Sequence, residues 1–166
     1  MQLNWQNYAF EDLSTDQLYA ILQLRLEVFV VEQTCYYQDL DGKDRAALHL
    51  CGYDDEGHLA AYTRILPKGI SYADYASIGR VITAPHARGK GIGRPLMRES
   101  LRVLFAAYGK QAVKISAQAH LQSYYESVGF QGTGPIYDED GIPHRAMVHH
   151  PEGLTPNEKQ NTARKK

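Results

Sequence analysis

Residues 84–97 read APHARGKGIGRPLM, three glycines alternating across five positions between an arginine and an apolar run. Upstream, Tyr75–Thr83 (YASIGRVIT) is an apolar stretch stopped by Ala84-Pro85, which predicts a strand. Downstream, Met97, Leu101, Leu104, Phe105 and Tyr108 recur at helical spacing until Gly109 supplies a stop. The glycines therefore join a strand to a helix N-terminus. There, unpaired N–H groups and the helix dipole favour an anion, and the missing Cβ atoms let it approach. Arg88 and Lys90 add full positive charge, so a diphosphate suits the loop. Two other phosphate cradles are excluded. A P-loop needs G-x-x-x-x-G-K-[ST], but Arg94 stands five after Gly89 and Gly91 follows Lys90; the dinucleotide fingerprint needs Gly or Ala where Leu96 stands.

Around this centre the chain alternates strand and helix signals. Gln2–Tyr8 predicts a short strand, and Ser14 with Gln17 forms a capping box that opens a helix running to about Glu32. Arg25 lies on that helix's apolar stripe, so its guanidinium either reaches out to water or meets a buried carboxylate. Ala46–Tyr53 and His58–Leu66 flank the turn DDEG and predict a strand pair. Val113–Ala117 predicts a strand, Leu121–Ser127 a short helix, and Phe130–Tyr137 with Ile142–His149 a closing hairpin turned at Asp140-Gly141. Residues 1–150 thus make one domain, and 151–166, without an apolar period, are expected to be a mobile tail.

The bulk composition narrows the function classes. A chain of 166 residues suffices for one sizeable core, and 43% hydrophobic with 22% charged residues is ordinary for a globular domain. A net charge of −1 gives no broad field for nucleic acid, so an anion site must be local. No apolar run is long enough for a membrane span, and MQLNWQNYAF has neither a basic nor an apolar leader region; a cytoplasmic location is expected. Cys35 and Cys51 lack metal or disulfide spacing. No metal is expected: Asp39, Asp41, Gly42 and Asp44 miss the EF-hand pattern and are expected to form a solvated acidic loop. His149 and His150 on a strand would point to opposite faces, so with His144 they do not gather.

The R-x-x-G-x-G at Arg88–Gly93, after a strand and before a helix, resembles the acyl-CoA pyrophosphate loop of the GNAT N-acetyltransferase superfamily. Tyr125-Glu126-Ser127-Val128-Gly129-Phe130 resembles the Y-x-x-x-G-F segment that closes the fourth helix there. LRLEVFVVEQ at 24–33, GRVI at 79–82, AQAHLQSYY at 117–125 and EDGIPH at 139–144 are similar to the ElaA-like branch, and the resemblance spans Leu3 to His149. It implies an α/β (α+β) single-domain fold. The mixed, mostly antiparallel sheet would have about six to seven strands flanked by about four helices, split between strands 4 and 5. It implies acetyl-CoA as co-substrate and direct acetyl transfer to a primary amine of a small molecule or peptide in a ternary complex. A homodimer is possible; no nucleic acid or membrane partner is expected.

Residue by residue, the resemblance places Val81, Ile82 and Thr83 beside the pantetheine arm. Arg88, Gly89, Lys90, Gly91, Ile92, Gly93 and Arg94 fall at the diphosphate, and Tyr125 at the general acid for the departing thiolate. Gln118 stands where many members carry asparagine, keeping an amide with longer reach. Pro95 removes one N–H from the first helical turn, which predicts weaker diphosphate contact. No general base is marked; His120 and Glu32 are candidates by position alone. Glu32, Asp39, Asp41 and Asp44 lean toward a cationic acceptor. Two alternatives stand beside this reading. LRLEVFVVEQ followed by Asp41 and Asp44 is similar, more loosely, to the start of acyl-homoserine lactone synthases, and a non-catalytic acetyl-CoA-binding module would need the same loop.

Overall fold

The computed structural model describes residues 1–152; the tail expected over 151–166 lies, from residue 153 on, outside the described residues. The order is β1 Asn4–Ala9, α1 Thr15–Leu26, β2 Leu48–Tyr53, β3 Leu59–Leu66, β4 Ser77–Thr83, α2 Gly93–Tyr108, β5 Val113–Gln118, α3 Gln122–Glu126, β6 Phe130–Glu139 and β7 Ile142–His149. The strands form two antiparallel sheets, β1-β2-β3-β4 and β5-β7-β6. No helix among the described residues is long and apolar enough to cross a membrane.

Local chemistry sets the element ends. Ser14 accepts from the Gln17 amide while the Gln17 side chain accepts from the Ser14 amide, so α1 opens on the capping box. The helix continues past Leu26 as a π-helical stretch, Glu27–Glu32, so the predicted single helix is present with a change of pitch. The β6–β7 turn puts Asp140 and Gly141 at φ +52 and +81, the paired positive values of a tight two-residue hairpin. α2 begins at Gly93, so the last glycine of the loop supplies its first residue and Pro95 falls in its first turn, where the sequence placed it.

The main core lies between α2 and the sheets. Leu96, Met97, Leu101 and Leu104 pack against Ile65 and Ile78 of the first sheet and Ile115 and Met147 of the second. Each such side chain contributes about 1.5–3 kcal/mol on burial. A second cluster, with Ile21, Leu24 and Val28 against Tyr62 and Ile82, docks α1 on the opposite face of the first sheet. The two sheets meet at one point: Ala76 bridges Val113 in parallel, and the Lys114 amide donates to the Ala76 carbonyl at 3.0 Å. Beyond it β4 and β5 belong to separate sheets, and a cleft opens in the gap between them.

Candidate active site

The cleft has a volume of about 990 Å³. A bulge shapes its β4 wall. Tyr62 pairs with Ile82 and Arg64 with Gly79, so two β4 residues, Arg80 and Val81, stand opposite Thr63 alone. Arg80 sits at φ +50, a left-handed conformation that costs a side-chain-bearing residue about 1–2 kcal/mol. Val81, Ile82 and Thr83 line this wall, and Gln118 lines the β5 side, its amide donating to Gln33 Oε1 at 3.4 Å.

The glycine loop adjoins the cleft at Arg88 and Gly93. Gly89 and Gly91 take φ +74 and +73, and a Cβ at either would meet nothing within 4 Å, so both the turn and the open approach depend on glycine. Ile92, buried, pins the loop to the core. It caps α2 without a side-chain bond, which leaves the first-turn amides, Pro95 excepted, available to an external acceptor. Arg88 holds Glu32 through contacts of 2.8 and 3.1 Å and donates to the Thr83 carbonyl at 3.3 Å. Lys90 is exposed, and Arg94 donates to Ser127 Oγ at 3.0 Å.

The two adjacent tyrosines of α3 have different duties. Tyr124 donates to the Gly93 carbonyl at 2.6 Å, and burial pushes its pKa up to about 12. Its hydroxyl is committed to the start of α2. Tyr125 is buried with its ring edge-on to Phe130, and its side chain lines the cleft. Burial, with Tyr124 adding to it, holds its pKa well above the ordinary tyrosine value, so at neutral pH it carries its proton.

The acceptor side was less legible. His120 is exposed on the cleft rim, and Glu32 lines the cleft with its carboxylate on Arg88. The acidic loop is not solvated: Asp39 and Asp44 are 1% and 8% exposed. Arg25, fully buried, donates to Asp39 at 2.8 Å and to Asp44 at 2.7 Å; it meets buried carboxylates rather than water. Arg64 donates twice to Asp41 at 2.8 Å and once to Asp44 at 3.0 Å. Arg80 Nε lies 2.8 Å from Asp39 Oδ1, an ion-pair approach without hydrogen-bond alignment, and its Nη2 donates to the Asp39 carbonyl at 2.9 Å. Burial would raise the pKa values of Asp41 and Asp44; bonds from Arg64 to the first and from Arg25 and Arg64 to the second overcome it and hold both below the usual carboxylate range. Three carboxylates meet three guanidiniums, so these aspartates give the pocket no net negative charge. The sequence-based lean toward a cation, insofar as it rested on them and on Glu32, is removed. Its reason was invisible in one dimension: Arg25, Arg64 and Arg80 come from α1, β3 and β4.

Ser116, Tyr137, Glu139 and His144 were not singled out as site residues, yet they form a connected cluster on the second sheet. Ser116 bonds the Tyr137 hydroxyl and reaches Glu139 at 3.4 Å, and His144 Nε2 lies 3.2 Å from Glu139. The Asp140-Gly141 turn carried the signal, because a two-residue loop sets Tyr137 opposite His144 and Glu139 opposite Ile142, on one face.

The family model for the acetyltransferase (GNAT) domain matches residues 11–150. Protein ElaA of Escherichia coli is 44% identical over 148 residues, covering 88% of this chain and 95% of that protein; its crystal structure superposes with a TM-score of 0.83. An acyl-CoA N-acyltransferase from Pseudomonas aeruginosa, 42% identical, superposes with a TM-score of 0.81 over 89% of this chain and 99% of that one. A spermidine N-acetyltransferase from Vibrio cholerae, solved with CoA and spermine, shares the fold at 18% identity, a TM-score of 0.65, and coverage of 87% of this chain and 94% of its own. With a glycine loop at an uncapped helix start beside a split sheet and these similarities over most of its length, the chain belongs to the GNAT acetyltransferase family of acyl-CoA-dependent transferases, among its ElaA-like members.

Proposed function

We propose that this protein moves an acetyl group from acetyl-CoA to a primary amine by direct attack in a ternary complex. The observation that carries the proposal is the meeting, around one cleft, of a glycine cradle at an uncapped helix start and a buried tyrosine that keeps its proton. The amides of the Gly89–Arg94 loop hold the diphosphate, with Lys90 and Arg94 adding charge at its rim. Val81, Ile82 and Thr83 flank the pantetheine arm, with Gln118 across the cleft. Acetyl-CoA supplies the activated acyl group. The bulge takes Arg80 and Val81 out of the β3 ladder, which frees strand amides to stabilise charge on the acyl oxygen. Tyr125 gives its proton to the departing sulfur.

Isothermal titration of acetyl-CoA into the wild type, Gly91→Glu and Gly93→Glu tests the cradle. Micromolar binding by the wild type, lost in both variants, is expected: residue 91 needs a positive φ, and a Cβ at 93 would stand 3.1 Å from the Tyr124 ring. Thiol release with an amine panel tests turnover. No binding by the wild type overturns the proposal; binding without turnover reduces the protein to an acetyl-CoA module, and a lactone product from S-adenosylmethionine replaces the reaction.

A further inference from the structure

His144 is 8% exposed and lines the cleft between Gln118 on β5 and Tyr137 on β6, its ring stacked on Tyr137 at 27°. Nδ1 lies 2.7 Å from the Ile142 carbonyl oxygen. A carbonyl only accepts, so Nδ1 carries hydrogen and the basic lone pair is placed on Nε2. Nε2 lies 3.2 Å from Glu139 Oε2, an ion-pair approach rather than an aligned hydrogen bond, and Ser116 donates to that same oxygen at 3.4 Å. The other carboxylate oxygen of Glu139 makes none of these contacts, and the side chain is 49% exposed, whereas Glu32 and Asp41, on other walls of the cleft, are held by arginines. Asp140, at the hairpin turn, adds a second negative charge on the same wall. The groups placed against His144 are therefore Glu139 and the Tyr137 phenol on β6 and uncharged Gln118 on β5, with Ser116 and Tyr72 beyond them against Tyr137 and Glu139. Arg145, next on β7, is spent on the Gly134 carbonyl and Gln122.

We propose that Glu139 and His144 form the pair that binds the acceptor's ammonium group and removes its proton; this rests on the amine acetylation proposed above. Glu139 touches the amine, and His144 acts through it. The open oxygen of the Glu139 carboxylate takes one proton from the ammonium, and the carboxylic acid so formed turns to hand that same proton to His144 Nε2, leaving a carboxylate and an imidazolium. The freed nitrogen forms its bond to the acetyl carbon as the carbon–sulfur bond breaks. Tyr125 protonates the thiolate and recovers a proton from the new amide nitrogen, and His144 returns its own to solvent.

The test is kinetic, with acetyl-CoA and three acceptors, putrescine, phenethylamine and Nα-acetyl-lysine amide, from pH 6 to 9.5. Glu139→Gln is expected to raise the amine KM and lower kcat/KM about 100-fold near neutral pH. His144→Gln is expected to lower kcat about tenfold and abolish the acidic limb of the profile, with acetyl-CoA affinity within about twofold of wild type for both. Glu139 is half exposed, so its variant keeps the test alive if His144→Gln fails to fold. Wild-type acidic limbs in both variants, or a limb that moves in His120→Ala or Glu32→Gln instead, overturn the assignment. Absence of thiol release by the wild type defeats the acetylation reading itself; the pair is then read by NMR. With CoA present, the His144 imidazole resonances should shift saturably as putrescine is added to the wild type, and stay still in Glu139→Gln; a flat wild-type response overturns the pair.

Discussion

Replacing Arg25 by methionine keeps the unbranched stem to about the position of Nε and removes the guanidinium, with its charge, from the middle of the ionic cluster. The guanidinium is fully buried and binds Asp39 and Asp44 through three side-chain contacts of 2.8, 2.7 and 3.4 Å, plus the Asp39 carbonyl at 3.2 Å. Without it three carboxylates face two arginines, and breaking a buried pair from one side costs about 3–5 kcal/mol. For a domain of this size that is a fall in Tm of roughly 6–20 °C at neutral pH. The pH dependence fixes the cause. In the wild type, Asp44 has a depressed pKa, so its contribution is present above the unfolded value of about 3.9 and lost as pH falls through the lower folded value. In the variant the unpaired, buried carboxyl has a raised pKa, so the penalty shrinks between pH 7 and about pH 4.5 as the acid protonates. Arg25→Met combined with Asp39→Asn restores two charges against two and should recover more than about 1 kcal/mol. Thermal unfolding followed by circular dichroism at both pH values measures all of this. A loss below about 1 kcal/mol, or one equal at both pH values, would refute the view that the cluster is a closed set of charges.

The remaining predictions concern the cleft. Tyr125→Phe should lower kcat about 10- to 100-fold while leaving the acetyl-CoA Kd and Tm unchanged, since the ring keeps its packing on Phe130; steady-state kinetics beside calorimetry checks the separation. Tyr124→Phe does the reverse: losing the bond to the Gly93 carbonyl costs about 1 kcal/mol, read as a lower Tm, with a smaller effect on kcat than Tyr125→Phe. Pro95→Gln adds one N–H to the first turn of α2 and should tighten acetyl-CoA binding several-fold; an unchanged Kd rejects counting donors in the cradle.

What the sequence disclosed was mainly what is local. The capping box at Ser14 and Gln17, the Asp140-Gly141 turn and the glycines between β4 and α2 are each written in adjacent residues, and each stands where it was expected. The ionic cluster was legible only at Arg25, for which a buried carboxylate was one of two expected surroundings: its arginines sit on α1, β3 and β4, and a run of aspartates looks the same whether water or guanidinium surrounds it. Glu139 and His144 fall between these cases. Their shared face follows from the turn and the period of two, and both lie in the EDGIPH stretch that resembles the ElaA-like branch, but no role in proton transfer was read for either.

The junction of the two sheets offers a gauge of motion within the molecule. The Lys114 amide hydrogen is protected by the Ala76 carbonyl across the join, while the strands on either side are secured within their own sheets. Its exchange with deuterium therefore counts how often the halves part, independently of global unfolding. An acyl donor that grips Thr83 on one half and Gln118 on the other would clamp that join, and the slowing of this one amide would report occupancy of the cleft before any bond is made or broken.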